Sequence, residues 1–336
     1  MRKLNILFRI SGGKAPGKEL GNGHIFRSMN LAYYFRGHNI WFLLEDFGGA
    51  EKILNQNGFK NIIKLKKNID IDSDINRSIR IVKNKEIDVL INDAYLVNNQ
   101  YLKKIKKFVK TVLVTDLKKY NYSADLIING FIGFKNKKII TNNKKLILLG
   151  PKYQILNHQF SSKKKISKKN DLLVTFGGFD EKNLTEIFLE EIIKFSSNMK
   201  IKIIHGPSSK KTKRIKEIEK NLPRNISFVS SANMFKEISN SKFGLCSGGI
   251  TTYEFATLDV PFAILSQVKH QTITAKVWEN IGMALNLGLK NKKTPAKIRN
   301  YLKSINSNLQ INTKFSKHSD GFGGKRVSVE IMRIVE

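Results

Sequence analysis

The sequence predicts an α/β protein of two consecutive domains, each a parallel sheet covered on both faces. Three observations carry this. Short runs rich in Ile, Val and Leu alternate with amphipathic stretches along nearly the whole chain. The runs are almost continuously apolar, which is how a strand reads when helices cover both sides of its sheet. The alternation stops once, near residue 160, and then restarts, and a length of 336 residues suits about two domains.

Taken in order, KLNILFRI (3–10) reads as a strand and GHIFRSMNLAYYFRG (23–37) as a helix closed by Gly37. NIWFLLE (39–45) is the next strand, GAEKILNQNG (49–58) a helix with a glycine stop, IDVLIND (87–93) a strand, QYLKKIKKFV (100–109) a helix and TVLVTD (111–116) a strand. SSKKKISKK (161–169) has no apolar stripe and reads as an exposed linker. The second domain restarts with DLLVTFGG (171–178), followed by the helix NLTEIFLEEIIKF (183–195), in which Asn183 or Thr185 is the candidate cap. IKIIHG (201–206), ISFVS (226–230), KFGLCSGG (242–249) and PFAIL (261–265) are its further strands. A lysine-rich segment (210–220), MFKEIS (234–239), TTYEFATL (251–258) and QTITAKVWENIG (271–282) are its helices. These readings divide the chain into domains at 1–160 and 170–320, with a last helix within 321–336 that can cross back to the first domain.

Composition narrows the function classes. An apolar fraction of 41% is enough for real cores, yet no run approaches the roughly 18–20 apolar residues of a membrane span. The apolar run in MRKLNILFRISGG is brief and broken by Arg9, so it reads as a buried strand and not as a leader. Cys246 is the single cysteine, which excludes an internal disulfide. A cytoplasmic protein is expected. The 60 Lys and Arg against 27 Asp and Glu give a net charge of +33. That charge suits a nucleic acid or an anionic surface. The lysines are scattered, however, and rise together with Asn and Ile, so compositional drift explains them better. No specific nucleic-acid partner is expected, although an anionic small molecule would be drawn in.

Four strand-to-helix junctions carry the polar residues. In ELGNGHIFR (19–27), Gly21 and Gly23 offer unusual backbone freedom and close approach. The following helix start suits an anion or a developing negative charge. His24 there would be held neutral and usable as a base, but a capping turn with an exposed histidine gives the same string. Arg27 stands near the place of the third glycine of a dinucleotide fingerprint, which is therefore absent. In FGGFDEKNLT (176–185), Gly177 and Gly178 clear space beside a strand end. In LCSGGITTYEFATLDVPFAIL (245–265), Ser247, Gly248, Gly249, Thr251 and Thr252 open a helix whose amides and hydroxyls can hold a diphosphate. Glu254 can accept two ribose hydroxyls, or else close a capping box. His270 and Gln271 open another helix, and Asp93, Tyr95 and Asp116 lie at strand ends of the first domain. The six histidines are dispersed without metal-ligand spacing, so neither metal nor cofactor is expected.

The ordered set GNGHIFRSMNLA, INDAY, VTDL, ADLIING, LLGPKYQIL, VTFGGFDEKNLT, CSGGITTYEFATLDVP, KHQ and DGFGGKRV resembles the nucleotide-sugar hydrolases of pseudaminic acid biosynthesis, themselves similar to the MurG-type glycosyltransferases. The resemblance spans nearly the whole chain and rests on the order of short motifs. It implies a GT-B-like arrangement, two Rossmann-like domains facing across a cleft. It implies metal-independent hydrolysis of UDP-2,4-diacetamido-2,4,6-trideoxy-β-L-altropyranose, by inverting cleavage of the anomeric C–O bond. By motif, His24 is the general base, Tyr95 and Gln271 lie near the sugar, Ser247, Gly248, Gly249 and Thr251 line the diphosphate, and Glu254 meets the ribose. Two departures, Ile10 where an acid is common and His270 where an asparagine is usual, bear on the sugar and not on UDP. A GT-B glycosyltransferase and a basic nucleic-acid-binding protein are the alternatives.

Overall fold

The computed structural model describes residues 2–13, 21–94, 98–116, 121–162, 168–195, 197–230, 232–307 and 318–336. The chain folds as two units, Met1–His158 with Gly321–Glu336, and Gln159–Asp320. Unit 1 runs β1 (Asn5–Gly12), α1 (Gly23–Ala32), β2 (Asn39–Asp46), α2 (Ala50–Gln56), β3 (Ile62–Lys64), α3 (Ile71–Asn84), β4 (Val89–Asp93), α4 (Asn99–Ile105), β5 (Lys110–Val114), β6 (Leu126–Asn129), β7 (Lys137–Ile140) and β8 (Leu146–Leu149). Unit 2 runs β9 (Asn170–Thr175), α5 (Leu184–Ile192), β10 (Ile201–Ile204), α6 (Lys213–Lys220), β11 (Ile226–Val229), α7 (Met234–Ser239), β12 (Ser241–Cys246), α8 (Thr251–Thr257), β13 (Phe262–Ser266), α9 (Lys269–Asn280), β14 (Ala284–Leu289) and α10 (Thr294–Asn306). The last helix, α11 (Gly323–Val335), packs in unit 1, where Val327 and Ile331 join the core.

The sheet of unit 1 has eight strands in the order β3-β2-β1-β4-β5-β6-β8-β7, and that of unit 2 has six in the order β11-β10-β9-β12-β13-β14. The strand pairs are parallel except β7 with β8. The continuous apolar runs have the expected cause. In unit 1, Ile6, Phe8, Ile10, Val89 and Ile91 enter a core with Ile25, Leu31 and Val327, on one face of the sheet. Their chain neighbours Leu7, Leu90, Leu113 and Ile127 enter a second core with Ile75, Tyr101 and Leu102, on the other. Successive strand residues point to opposite faces, so both must be apolar when both faces are covered. β7 is different. It is an exposed edge strand reading KKII, and lysines there deter pairing with another chain.

In each sheet the strand order reverses direction once, between β1 and β4 and between β9 and β12. Ligands of open α/β sheets bind beyond the carboxyl ends of the strands at such a switch point. Two junctions differ from the sequence reading in a way that matters there. α9 starts at Lys269, so His270 and Gln271 lie in its first turn. Neither Asn183 nor Thr185 caps α5. Asn183 takes a left-handed conformation, φ +53°, and the buried Asp180 accepts from Leu184 N at 2.9 Å and Thr185 N at 2.7 Å.

The return of the chain into unit 1 depends on two glycines. A Cβ on Gly323 would fall 2.1 Å from the Gln154 carbonyl oxygen and one on Gly130 2.7 Å from the Gln154 Cα, so the Gln154 backbone threads between them. Backbone cannot yield as a flexible side chain does, and overpacking of this kind costs roughly 1–3 kcal/mol. Gly323→Ala is therefore expected to lower the Tm by several degrees, at about 2–4 °C per kcal/mol for a domain this size. Gly21→Ala, where a Cβ meets nothing within 4 Å, is the matched control expected to melt near wild type. Thermal unfolding followed by circular dichroism checks both.

Candidate functional site

At the switch point of unit 1 the end of β1 is packed closely through Gly12 and Gly13. A Cβ on Gly12 would fall 2.4 Å from Ile25, and Gly13, at φ +118°, would meet Gly48 N at 2.7 Å. These contacts let α1 begin hard against the end of β1, which places His24, in its first turn, beside Asp93, the last residue of β4. His24 Nδ1 lies 2.7 Å from Asp93 Oδ1. Three residues on, on the same helix face, Arg27 donates from Nε to Asp93 Oδ2 at 2.8 Å and from one terminal nitrogen to Asp93 Oδ1 at 2.7 Å. Its other terminal nitrogen donates to both oxygens of Asp116, at 2.6 and 2.8 Å.

The electrostatics follow from burial. The Asp93 side chain is 1% exposed. Burial alone would push its carboxyl up, but Arg27 and then His24 outweigh burial and hold it well below the usual carboxylate range. Burial would likewise lower the Arg27 guanidinium, and Asp116 and Asp93 together raise it instead. An ionised carboxylate only accepts hydrogen bonds. The His24 nitrogen facing Asp93 must then carry a proton, and in the neutral ring Nε2 keeps its lone pair. This is the arrangement of a general base oriented by a buried acid.

The same geometry revises several sequence expectations. One guanidinium between two carboxylates leaves these three described side chains with net negative charge. Arg27, 3% exposed, and Asp93 are committed to one another and position His24; they do not offer themselves to a ligand. A Cβ on Gly21 or Gly23 meets nothing within 4 Å, so neither makes room for a neighbouring protein group. Tyr95 lies outside the described residues. Spacing alone missed the cluster around Arg9. This buried residue donates to Asp74 Oδ2 at 2.8 Å and lies 3.4 Å from Glu45.

At the switch point of unit 2 the segments after β9, β10, β12 and β13 meet. Gly177, at φ +87°, has its Cβ position 3.7 Å from Ser247 Oγ, and a Cβ on Gly206 would fall 2.1 Å from Gly177 O and 2.6 Å from Gly178. A Cβ on Gly248 would fall 2.7 Å from Gln271 O. Gln271 Oε1 accepts from Gln267 N at 2.9 Å, and Gln267 Nε2 donates to Phe176 O at 2.7 Å. Gln267, unmarked in the sequence, therefore stitches the loops after β9 and β13 together. Gly249 has open space where a Cβ would stand, and Thr251 is half-buried. Thr252 is fully buried; its hydroxyl donates to Gly249 O at 2.8 Å and accepts from Trp278 Nε1 at 3.0 Å, so it braces the loop and is not free for a ligand. His270 is exposed. The N-cap of α8, Ile250, offers no side-chain cap, and the Glu254 carboxyl meets the Thr251 hydroxyl. Burial pushes that carboxyl up to about 7, partly offset by the Thr251 hydroxyl.

Among the described residues no group of three or more His, Cys, Asp or Glu is placed to hold a metal ion, and no helix is long and apolar enough to cross a membrane.

Two parallel-sheet α/β units of this topology define the GT-B fold, and solved structures share it along the chain. MurG of Acinetobacter baumannii superposes with a TM-score of 0.66 at 15% identity, covering 98% of this chain and 99% of its own. The spinosyn forosaminyltransferase SpnP gives 0.66 at 10%, covering 99% and 100%. The UDP-GlcNAc 2-epimerase of Neisseria meningitidis, bound to UDP-GlcNAc, gives 0.58 at 9%, covering 98% and 100%. In sequence the chain is 29% identical over 268 residues to protein MJ1062 of Methanocaldococcus jannaschii, covering 74% of this chain and only 54% of that one. It is 27% identical over 286 residues to the spore coat polysaccharide biosynthesis protein SpsG of Bacillus subtilis, covering 81% of each. No protein-family model matches.

Proposed function

We propose that the protein is a UDP-sugar hydrolase acting on a UDP-linked deoxy-diacetamido sugar of the pseudaminic type. The observation that carries this reading is the His24–Asp93 pair at the switch point of unit 1, 2.7 Å apart and backed by Arg27. Sequence similarity to a polysaccharide biosynthesis protein and a fold shared with a UDP-GlcNAc 2-epimerase bound to UDP-GlcNAc support the substrate class. Unit 2 seats UDP through the Ser247–Thr251 turn and Glu254. Water is activated by His24 Nε2, its oxygen bonds to the anomeric carbon from the face opposite UDP, the proton passes to His24, and the C–O bond to the β-phosphate breaks as UDP leaves. Asp93 stabilises the imidazolium so formed.

Incubation with UDP-linked diacetamido-trideoxy sugars and no acceptor tests the reading. Release of UDP and free sugar is expected. Release only after an acceptor hydroxyl is added would make the protein a GT-B glycosyltransferase instead.

The ribose contact makes a separate, pH-dependent prediction. A carboxylate accepting two hydroxyls must be ionised, and the Glu254 carboxyl stands at about 7. Binding of uridine, which carries no phosphate to confuse the titration, is expected to be about tenfold tighter at pH 8 than at pH 6. Glu254→Gln should be weaker and flat over the same range. Calorimetric titration at both pH values decides; a pH-independent wild type would remove Glu254 from the ribose site.

A further inference from the structure

Arg27 binds two carboxylates of different standing. Asp93 is 1% exposed and holds His24, whereas the Asp116 side chain is 60% exposed and, among the described residues, pairs with Arg27. Neutralising one guanidinium requires one carboxylate, and Asp93 already does so. The second leaves the cluster with net negative charge, in a chain whose overall charge is +33.

We infer that Asp116 is the residue of unit 1 that meets the glycosyl group, and that it selects an uncharged group rich in hydrogen-bond donors over one bearing a carboxylate. The inference rests on the UDP-sugar reading. Arg27 approaches Asp116 through a single terminal nitrogen, 2.6 and 2.8 Å from its two oxygens. A carboxylate has about four lone-pair sites, so outward-facing ones are left to accept an O–H or amide N–H. A hydroxylated or acetamido sugar supplies those donors. A uronate supplies a like charge, and like charges brought together in a binding site are a standard means of rejecting the wrong ligand. Asp116 follows β5, which lies next to β4 in the sheet, and Arg27 ties it to the same cluster as His24. The carboxylate therefore stands at the reacting end of the sugar.

Calorimetry of wild type, Asp116→Asn and Asp116→Ala with UDP, UDP-GlcNAc and UDP-glucuronic acid tests this. Wild type is expected to bind UDP-GlcNAc at least about tenfold more tightly than UDP-glucuronic acid. Both variants should shrink that ratio by about tenfold while binding UDP as wild type does. Asp116→Asn keeps an oxygen for Arg27, and the exposed position leaves the fold intact. A residue that only braced Arg27 would weaken both sugar nucleotides alike, so an unchanged ratio in both variants overturns the inference. So does a wild type that binds the two sugar nucleotides equally. Failure of the underlying reading looks different, because wild type would then bind no UDP at all.

Discussion

Replacing His24 with alanine is expected to lower turnover of the UDP-sugar by roughly 10²–10⁴-fold, the usual worth of a positioned general base, with UDP binding unchanged. The reasoning runs through the tautomer. Asp93 is held ionised by Arg27 and so accepts only, which leaves Nε2 as the basic nitrogen. Alanine removes that nitrogen and leaves the UDP seat proposed in unit 2 untouched. Steady-state kinetics beside UDP titration check the pair of outcomes. Near-normal turnover would take His24 out of the mechanism, and lost UDP affinity would give it a binding role instead.

Arg27→Met is expected to destabilise unit 1 by about 3–5 kcal/mol at pH 7, the usual cost of leaving a buried charge without its partner. The pH dependence gives this prediction its sign. Asp93 has a lower pKa folded than unfolded, so it contributes stability that is present above the unfolded value, about 3.9. That stability is lost as pH falls toward the lower folded value. Without Arg27 the contribution is missing at neutral pH as well. Urea unfolding should therefore show a large gap between variant and wild type at pH 7 that narrows toward pH 3. A gap of constant size would mean that Arg27 acts through packing alone.

The strands of both sheets that bound the candidate site were readable because burial on two faces writes a continuous apolar run, as in ILF at 6–8 and LLV at 172–174. Elements away from that rule were not. α3 sets Ile71, Ile75, Ile79, Ile81 and Val82 among Asp, Ser, Arg and Asn instead of in one apolar run, and the edge strands β7 and β14 are covered on fewer sides. The site was half legible. His24 and Glu254 lie in the first turns of helices that follow strands, positions the apolar pattern marks. The roles of Arg27, Asp116 and Gln267 depend on partners 66, 89 and 91 residues away in the chain, which spacing does not reveal. Thr252 misled in the opposite direction, since a hydroxyl at a helix start looks the same in sequence whether it faces a phosphate or, as here, a buried tryptophan.

The central claim is that His24 directs water to the anomeric carbon of a UDP-linked sugar. Turnover of a UDP-linked diacetamido-trideoxy sugar in water enriched in oxygen-18, read by mass spectrometry of both products, tests it most directly. One labelled oxygen is expected in the free sugar and none in UDP. Label in the UDP phosphate would place the attack on phosphorus and contradict it.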